Sequence, residues 1–561
     1  MKKMAKDILH ELQNVYSLKS RKSKIILIIL CFFTGIFSGL VVSSYTLLLN
    51  KISFFRNGYL TNLTVTKIII GLIVFVLVGI IIQFMFSKFP LIGGSGIPQV
   101  NAFLNKKIKF NWLPELFTKF FGGVLAVGAG MALGREGPSV HLGALIGSGI
   151  KKITKRTETE EKYLVTCGAS AGIASTFNAP LAGVIFSLEE LHKFFSPLLL
   201  ICVLVASGTS NYVSRMILGP ESSFQYNFML PKHTPIYIIG IVTLVFCLII
   251  TILGRGFSYF LLLFQKKFKD IKMNKYLKIS LFMVVVYLVA IFFKEITGGG
   301  HDLIEKMFSE KVGLKILFAI LIMKFFYTMF CYSSGFPGGI FLPMLVIGAL
   351  SGKVYGEVLN HYFEIPNEII VHFMILGMAA YFTAVVRAPI TGITLILEMT
   401  GNFSYLYMLI IVCTIVYIFT ELFKMEPIYE RLYLNMFEKE ISQSEKEEEK
   451  IKKEKRKKEK RLEMLENWWK DRHSKNKKNN EDKIVTLLIP VGVNSEFDGK
   501  LVKELKLPEN ILIISVRSEG EDHIAKGNTK IQSGNQIVMI TDYKTASKYA
   551  SELKERGLKI I

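Results

Sequence analysis

The stretch GPSVHLGALIG (137–147) returns in outline as LPMLVIGALSG (342–352), and NAPLAGVIFSLEE (178–190) returns as RAPITGITLILEM (387–399). Pro138 aligns with Pro343 and Gly143 with Gly348 at an offset of 205. Pro180 aligns with Pro389, Gly183 with Gly392 and Glu189 with Glu398 at an offset of 209. Two such pairs, in the same order and at nearly the same spacing, mark two halves of one region. Internal repeats with matched interrupted segments point to a substrate site at the repeat interface, near the middle of a membrane. Residue pairing alone leaves the relative orientation of the halves open.

Hydropathy puts these repeats in a bilayer. Of 561 residues, 51% are hydrophobic, and the mean hydropathy is positive. A soluble chain of that balance would expose large apolar patches. Apolar runs near 25–49, 64–88, 196–217, 233–264, 277–293, 312–331 and 404–423 reach the roughly 20 residues a helix needs to cross a membrane. The remaining apolar runs read as shorter and are interrupted by Gly and Pro. Non-helical backbone inside a membrane must be buried in protein or line a watery cavity, so full and broken spans together read as a transporter or channel. No small-residue cleavage site follows the first span, and no removable signal peptide is expected.

The net charge of +23 does not indicate nucleic acid, because of where it lies. Basic clusters occupy the N-terminus (Lys2, Lys3, Lys6, then Lys19, Arg21, Lys22, Lys24), residues 105–109, residues 151–156 and the chain beyond 438. Lys and Arg excess marks cytoplasmic loops, which puts both termini inside and suggests the plasma membrane. The six cysteines (Cys31, Cys167, Cys202, Cys247, Cys331, Cys413) lie in apolar runs, far apart in the chain, and read as small packing residues rather than disulfides or a zinc site. No metal site and no cofactor is expected.

Composition divides the chain into a short N-terminal segment (1–24), a membrane region (25–435), a charged linker (436–483) and a small soluble domain (484–561). In the linker, Glu449/Lys453 and Glu454/Lys458 have the spacing that supports an exposed helix. A solvated linker is the plain interpretation and contact with anionic lipid the sharper one. In the last segment, 484–489, 511–516 and 536–540 read as β-strands and Tyr543–Arg556 as a helix. The fold class is therefore an all-α polytopic membrane protein with repeats and broken helices, followed by a small α+β domain.

Three segments of the membrane region combine glycines, a proline and a following apolar helix: Gly94-Ser95-Gly96-Ile97-Pro98, Gly134-Arg135-Glu136-Gly137-Pro138 and Gly338-Gly339-Ile340-Phe341-Leu342-Pro343. Glycine permits close backbone approach, and proline suits the first helical turn. Free N–H groups at helix N-termini attract anions, so three such ends converging on one point would bind an anion without a full cationic charge. Each motif alone is an ordinary helix start; the combination within a repeat is what suggests a site.

In that order and spacing, GSGIP, GREGP and GGIFLP resemble the signature motifs of the CLC family of chloride channels and chloride/proton antiporters. The NAP-LAG-LEE and RAP-TG-LEM segments fit as well, and the resemblance covers about residues 25–435. It implies a homodimer with one pore per subunit, each pore built from two inverted halves. It also implies that Ser95 and the backbone amides of Ile340 and Phe341 face a central chloride, with Tyr429 closing its inner side. Glu136 corresponds to the family's gating glutamate and Glu190 to the proton-transfer glutamate of its antiporters. An ionisable side chain inside a membrane motif is a functional candidate in any case. Bland alternatives are a Glu136–Arg135 salt bridge, a solvated helix end at Glu190 and an interfacial anchor at Tyr429. Ser95, where nitrate-preferring relatives carry proline, points to chloride, and fluoride does not fit the serine motif. Glu426 and Glu430 flank Tyr429 and would oppose an anion if they faced the inner mouth.

The segment from 489 to about 541 resembles the TrkA C-terminal type of regulatory domain, with a strand, a helix, Leu-Pro and paired strands. It has no Walker A motif and no complete G-x-G-x-x-G. Binding of a small-molecule ligand and a purely structural dimerisation role are both open. The expected function is a chloride/proton antiporter, with chloride, protons and the bilayer as partners. A passive chloride channel shares every feature except the need for Glu190. A membrane sensor working through its C-terminal domain is a third option. An enzyme finds no support, since His141 and His192 stand without a nucleophile or metal-ligand set.

Overall fold

A computed structural model describes residues 21–193, 195–219, 236–363, 367–437, 464, 484–518 and 521–559. The charged pairs of the linker lie outside the described residues. The chain forms two compact units, dividing between Met436 and Phe437.

The first unit is helical: α1 Arg21–Tyr59, α2 Val65–Lys88, α3 Ile97–Leu104, α4 Trp112–Gly128, α5 Glu136–Thr154, α6 Glu158–Phe177, α7 Pro180–Phe186, α8 Pro197–Leu218, α9 Ile236–Asp270, α10 Lys275–Phe292, α11 His301–Ser309, α12 Leu314–Ser333, α13 Phe341–Phe363, α14 Asn367–Val386, α15 Pro389–Thr400, α16 Leu406–Leu422 and α17 Ile428–Met436. Among the described residues, nine helices are long and apolar enough to cross a membrane. Helix α1 shows why they suit lipid. One face buries Leu27, Cys31, Thr34, Ser38, Val42 and Tyr45 at helical spacing, and the other exposes Ile25, Ile29, Phe32, Phe33 and Phe37. Only a hydrocarbon environment leaves both faces satisfied.

One expectation needs correction. The seven long apolar runs read from the sequence omit Phe341–Phe363 and Asn367–Val386, yet both form helices long enough to span. Their glycines do not break the helices but let them touch. A Cβ on Gly348 would stand 2.4 Å from the Gly377 carbonyl oxygen, and one on Gly352 would stand 1.9 Å from that of Phe373. The first half repeats this contact at the sequence offsets: Gly143 against Gly168 and Gly147 against Leu164, with a Cβ at 1.9 and 2.1 Å from the facing oxygens. Helices α5–α6 and α13–α14 are thus the same close-packed pair built twice.

The repeats are inverted, and two carboxylates make this visible. Glu189 accepts from the N–H groups of Ile390 (3.2 Å) and Thr391 (2.7 Å) at the start of α15. Glu398, its repeat partner near the end of α15, accepts from Leu181 (3.0 Å) and Ala182 (2.7 Å) at the start of α7. Equivalent segments that cap each other's N-termini must run antiparallel. Both caps put a carboxylate on the positive end of a helix.

The second unit is a four-stranded antiparallel sheet, β1 Ile484–Pro490, β2 Leu512–Ser518, β3 Glu521–Ile524 and β4 Gln536–Asp542, in the order β1-β4-β2-β3, with helix α18 Tyr543–Leu558. Ile489, Phe497, Val516, Ile537, Met539 and Leu553 form its core. Strand β3 was not apparent in the sequence. The helix expected between the first strand and Leu507-Pro508 is only a 3-10 turn, Val502–Glu504. Arg556 in α18 grips Glu496 with Nε at 2.9 Å and Nη2 at 2.8 Å, and this holds the Glu496 carboxyl below its ordinary value of 4.5.

Candidate functional site

The three glycine motifs meet. Gly134 and Gly339 exchange both backbone hydrogen bonds at 2.7 Å. Gly94 donates to Gly335 (3.0 Å) and accepts from Gly338 (3.1 Å). Gly137 lies so close to Ser95 that a Cβ there would be 2.7 Å from the Ser95 carbonyl oxygen. Gly96 takes a left-handed φ of 96° to cap α3, with Pro98 in its first turn, and a side chain there would strike His141. Helices α3, α5 and α13 therefore begin beside one another, with Pro138 and Pro343 each the third residue of its helix.

Around this meeting point the candidate ligands converge. Ser95 is buried, and its Oγ accepts from the Ile97 N–H at 3.2 Å. Ile340 and Phe341 are fully buried ahead of the first internal bond of α13, Met344 N–H to Ile340 O, and helix geometry leaves their N–H groups without an intrahelical acceptor. The Phe341 ring packs against Phe177 and Phe186 of one half and Phe382 of the other, which fixes the start of α13. Tyr429 is 0% exposed, and its hydroxyl has no hydrogen-bond partner among the described residues. An interfacial anchor would be exposed; this phenol is not.

Glu136 is 1% exposed at the first residue of α5. Its carboxylate faces its own N–H and that of Leu342 in the first turn of α13, while Oε2 has no hydrogen-bond partner among the described residues. A Cβ on Gly134 would stand 2.2 Å from that oxygen. The carboxylate thus sits where a helix end would otherwise receive an anion. Arg135 is not paired with Glu136: its Nη1 meets Asn50 Oδ1 at 3.4 Å, and it lines a cavity of about 680 Å³ with Arg56, Lys294, His301 and Lys306.

Glu190, 4% exposed, lies in a π-helical turn, Ser187–His192, that continues α7. Single π turns recur at functional sites. It is not a solvated helix end. Tyr429 is within electrostatic range of Glu190, Glu136 and Tyr332. Glu426 and Glu430 do not stand as bare charges beside Tyr429: Glu426 pairs with Arg431 at 2.8 Å, and Glu430 with Lys193 at 2.9 Å.

Three side chains here escaped the sequence reading. Tyr332 of α12 is buried with its hydroxyl against the amide and hydroxyl of Ser95. Lys119 of α4 is 0% exposed and donates to the carbonyls of Ile92 and Gly94, both at 2.8 Å. Lys324 of α12, also buried, donates to Ile296 (3.0 Å) and Gly298 (2.7 Å). Lys119 and Lys324 are 205 residues apart, the offset of the first repeat pair, so that offset was the available signal. Each lysine cradles the glycine loop ahead of a short helix. Elsewhere, Cys31 and Cys167 come within 3.5 Å, and every cysteine is free and buried.

Inverted helical repeats whose helix starts surround hydroxyls and an acid define a class of polytopic helical protein with a buried polar centre. Comparison with known proteins gives the class its family. Residues 78–421 match the family described as voltage gated chloride channel, and residues 487–554 match the TrkA-C domain. The H(+)/Cl(−) exchange transporter ClcA of Vibrio cholerae is 33% identical over 443 residues, 77% of this chain and 92% of that protein. ClcA of Cronobacter sakazakii is 32% identical over 430 residues, 75% and 91% of the two chains. The crystal structure of a slow cyanobacterial Cl−/H+ antiporter superposes with a TM-score of 0.69 at 27% identity, covering 74% of this chain and 98% of that one. The chain belongs to the voltage gated chloride channel family, the CLC family, and carries a TrkA-C domain at its C-terminal end.

Proposed function

We propose that the protein exchanges chloride for protons across a membrane, with Glu136 as the gate and Glu190 as the inner proton-transfer group. The observation that carries this is the seat of the Glu136 carboxylate at the N-terminus of α13, where it takes the place of an anion. Ionised, it blocks the outer position; protonated, it loses its charge and its claim on the helix end, and chloride replaces it. Chloride at the central position is held by the Ser95 and Tyr429 hydroxyls and the Ile340 and Phe341 amides.

Glu190 favours exchange over a passive channel. A buried acid in electrostatic range of the same phenol as Glu136 has no use in a pore that conducts chloride alone. A homodimer in the plasma membrane, with both termini cytoplasmic, completes the reading. The TrkA-C domain then acts as an accessory unit, either binding a small ligand or joining two subunits. A sensor would instead lose all function on removal of residues 440–561.

The test is chloride efflux from liposomes recorded together with proton movement. Glu136→Ala is expected to keep chloride flux and lose its proton dependence. Glu190→Ala is expected to keep chloride flux and lose proton transport. If Glu190→Ala leaves proton transport at the wild-type ratio, the antiport assignment of Glu190 fails.

A further inference from the structure

We propose that the Glu430–Lys193 ion pair is the doorway through which protons reach Glu190, with Glu430 as the carboxylate that collects them from water. This rests on the role given to Glu190 above.

Glu190 is buried, so a proton bound for it must first be captured by something that meets solvent. Its electrostatic neighbours are Lys193, Glu430 and Glu189. Of the two carboxylates, Glu189 is committed: its oxygens hold the Ile390 and Thr391 amides and the Thr391 hydroxyl at 2.7–3.2 Å. Protonating it would weaken a helix cap between the two halves. Glu430 is different. Its side chain is 48% exposed, it follows the buried Tyr429 in α17, and its partner is Lys193 at 2.9 Å, itself 53% exposed. An exposed pair of this kind is worth little to stability and opens readily.

The other charged groups nearby are accounted for. His192, in the same π turn, bonds Thr166 at 2.8 Å and has Lys162 within electrostatic range. Lys106 lies in range of Lys162, and Arg431 is held by Glu426. Glu158 is an acid in range of Lys162 and not of Glu190, and the rest are basic or already paired, which leaves Glu430 as the half-exposed acid in electrostatic range of Glu190. Lys193 adopts a left-handed backbone (φ 54°) where the π turn ends, on the turn that carries Glu190.

The step balances as a proton relay. The Glu430 carboxylate takes a proton from hydronium, loses its charge and releases Lys193. Passing the proton through water to the Glu190 carboxylate restores the Glu430 charge and re-forms the pair. While the pair is open, Lys193 stands as a free cation beside the inner mouth, which favours chloride there as the proton moves inward.

The experiment uses the full-length protein in liposomes, with chloride and proton flux recorded in the same trace for wild type, Glu190→Gln, Glu430→Gln and Lys193→Met. Glu430→Gln and Lys193→Met break the pair equally, so a merely structural pair makes them behave alike. A proton-collecting Glu430 makes them differ: Glu430→Gln lowers the proton-to-chloride ratio severalfold, while Lys193→Met keeps the ratio. Equal effects of the two variants, or none from either, overturn the doorway while leaving Glu190 intact if Glu190→Gln abolishes proton transport. If Glu190→Gln retains proton transport, the Glu190 assignment itself falls and the doorway with it.

Discussion

Replacing Lys119 with methionine removes a buried amine from beneath the loop that carries Ser95. Its Nζ is 2.8 Å from the Gly94 carbonyl oxygen. Adding the span of one residue puts the charge about 7 Å from an anion held by Ser95. At an effective dielectric of about 20, a full unit charge at that distance would contribute about 2 kcal/mol, or about 30-fold in chloride Kd, which is the upper limit for this fully buried amine. The side chain also makes hydrogen bonds from a charged donor, worth about 1.5–3 kcal/mol each before the apolar replacement offsets part of the loss. Lys119→Met is therefore expected to lower both Tm and chloride affinity, the latter measured by calorimetry on detergent-solubilised protein. Lys324→Met breaks the same cradle under the outer glycine loop and should lower Tm with a smaller effect on affinity. If both variants lose Tm equally and both bind chloride like wild type, Lys119 is a strut alone and its charge is not felt at the site.

Other consequences are simpler to check. Glu398→Gln should lower stability by about 1–3 kcal/mol, because it weakens two amide bonds at the start of α7, while leaving the proton-to-chloride ratio unchanged in liposomes. Gly352→Ala puts a methyl 1.9 Å from a carbonyl oxygen and should abolish accumulation of folded protein; Gly208→Ala, with open space around it, should not. In the TrkA-C unit, the Glu496 carboxyl is held below 4.5 by Arg556, so its contribution to stability is present above about pH 4.5 and is lost as pH falls through the lower, folded value. Amide exchange in residues 490–558 of the full chain should accelerate over that window, and Glu496→Gln should remove the pH dependence.

Much of the fold was legible because the signals were local. The repeated prolines and glycines fixed where α5, α13, α7 and α15 begin, and the apolar runs marked the lipid-facing spans. What escaped depended on partners distant in the chain. A glycine inside a helix reads as an interruption until the facing carbonyl of Gly377 or Phe373 is known, which is why α13 and α14 are not among the long apolar runs. Lys119 and Lys324 sit in apolar helices and are explained only by carbonyls 25 to 28 residues away. The charge at Glu430 could not be judged without Lys193, 237 residues earlier. Glu189 and Glu398 were seen as repeat partners; that each caps the other's half follows from inversion, which spacing does not carry. Tyr332 precedes the third motif by several residues and reaches Ser95 only through the fold.

The coupling of the two ions is tested most directly in sealed liposomes holding high chloride at equal internal and external pH, with the membrane potential clamped by a potassium ionophore. Outward movement of chloride down its gradient is expected to drive protons inward and acidify the interior against the resulting pH gradient, and Glu190→Ala is expected to abolish that acidification while chloride still leaves. Chloride efflux from the wild type with no uphill proton movement would contradict coupled exchange and leave a passive chloride pathway in its place.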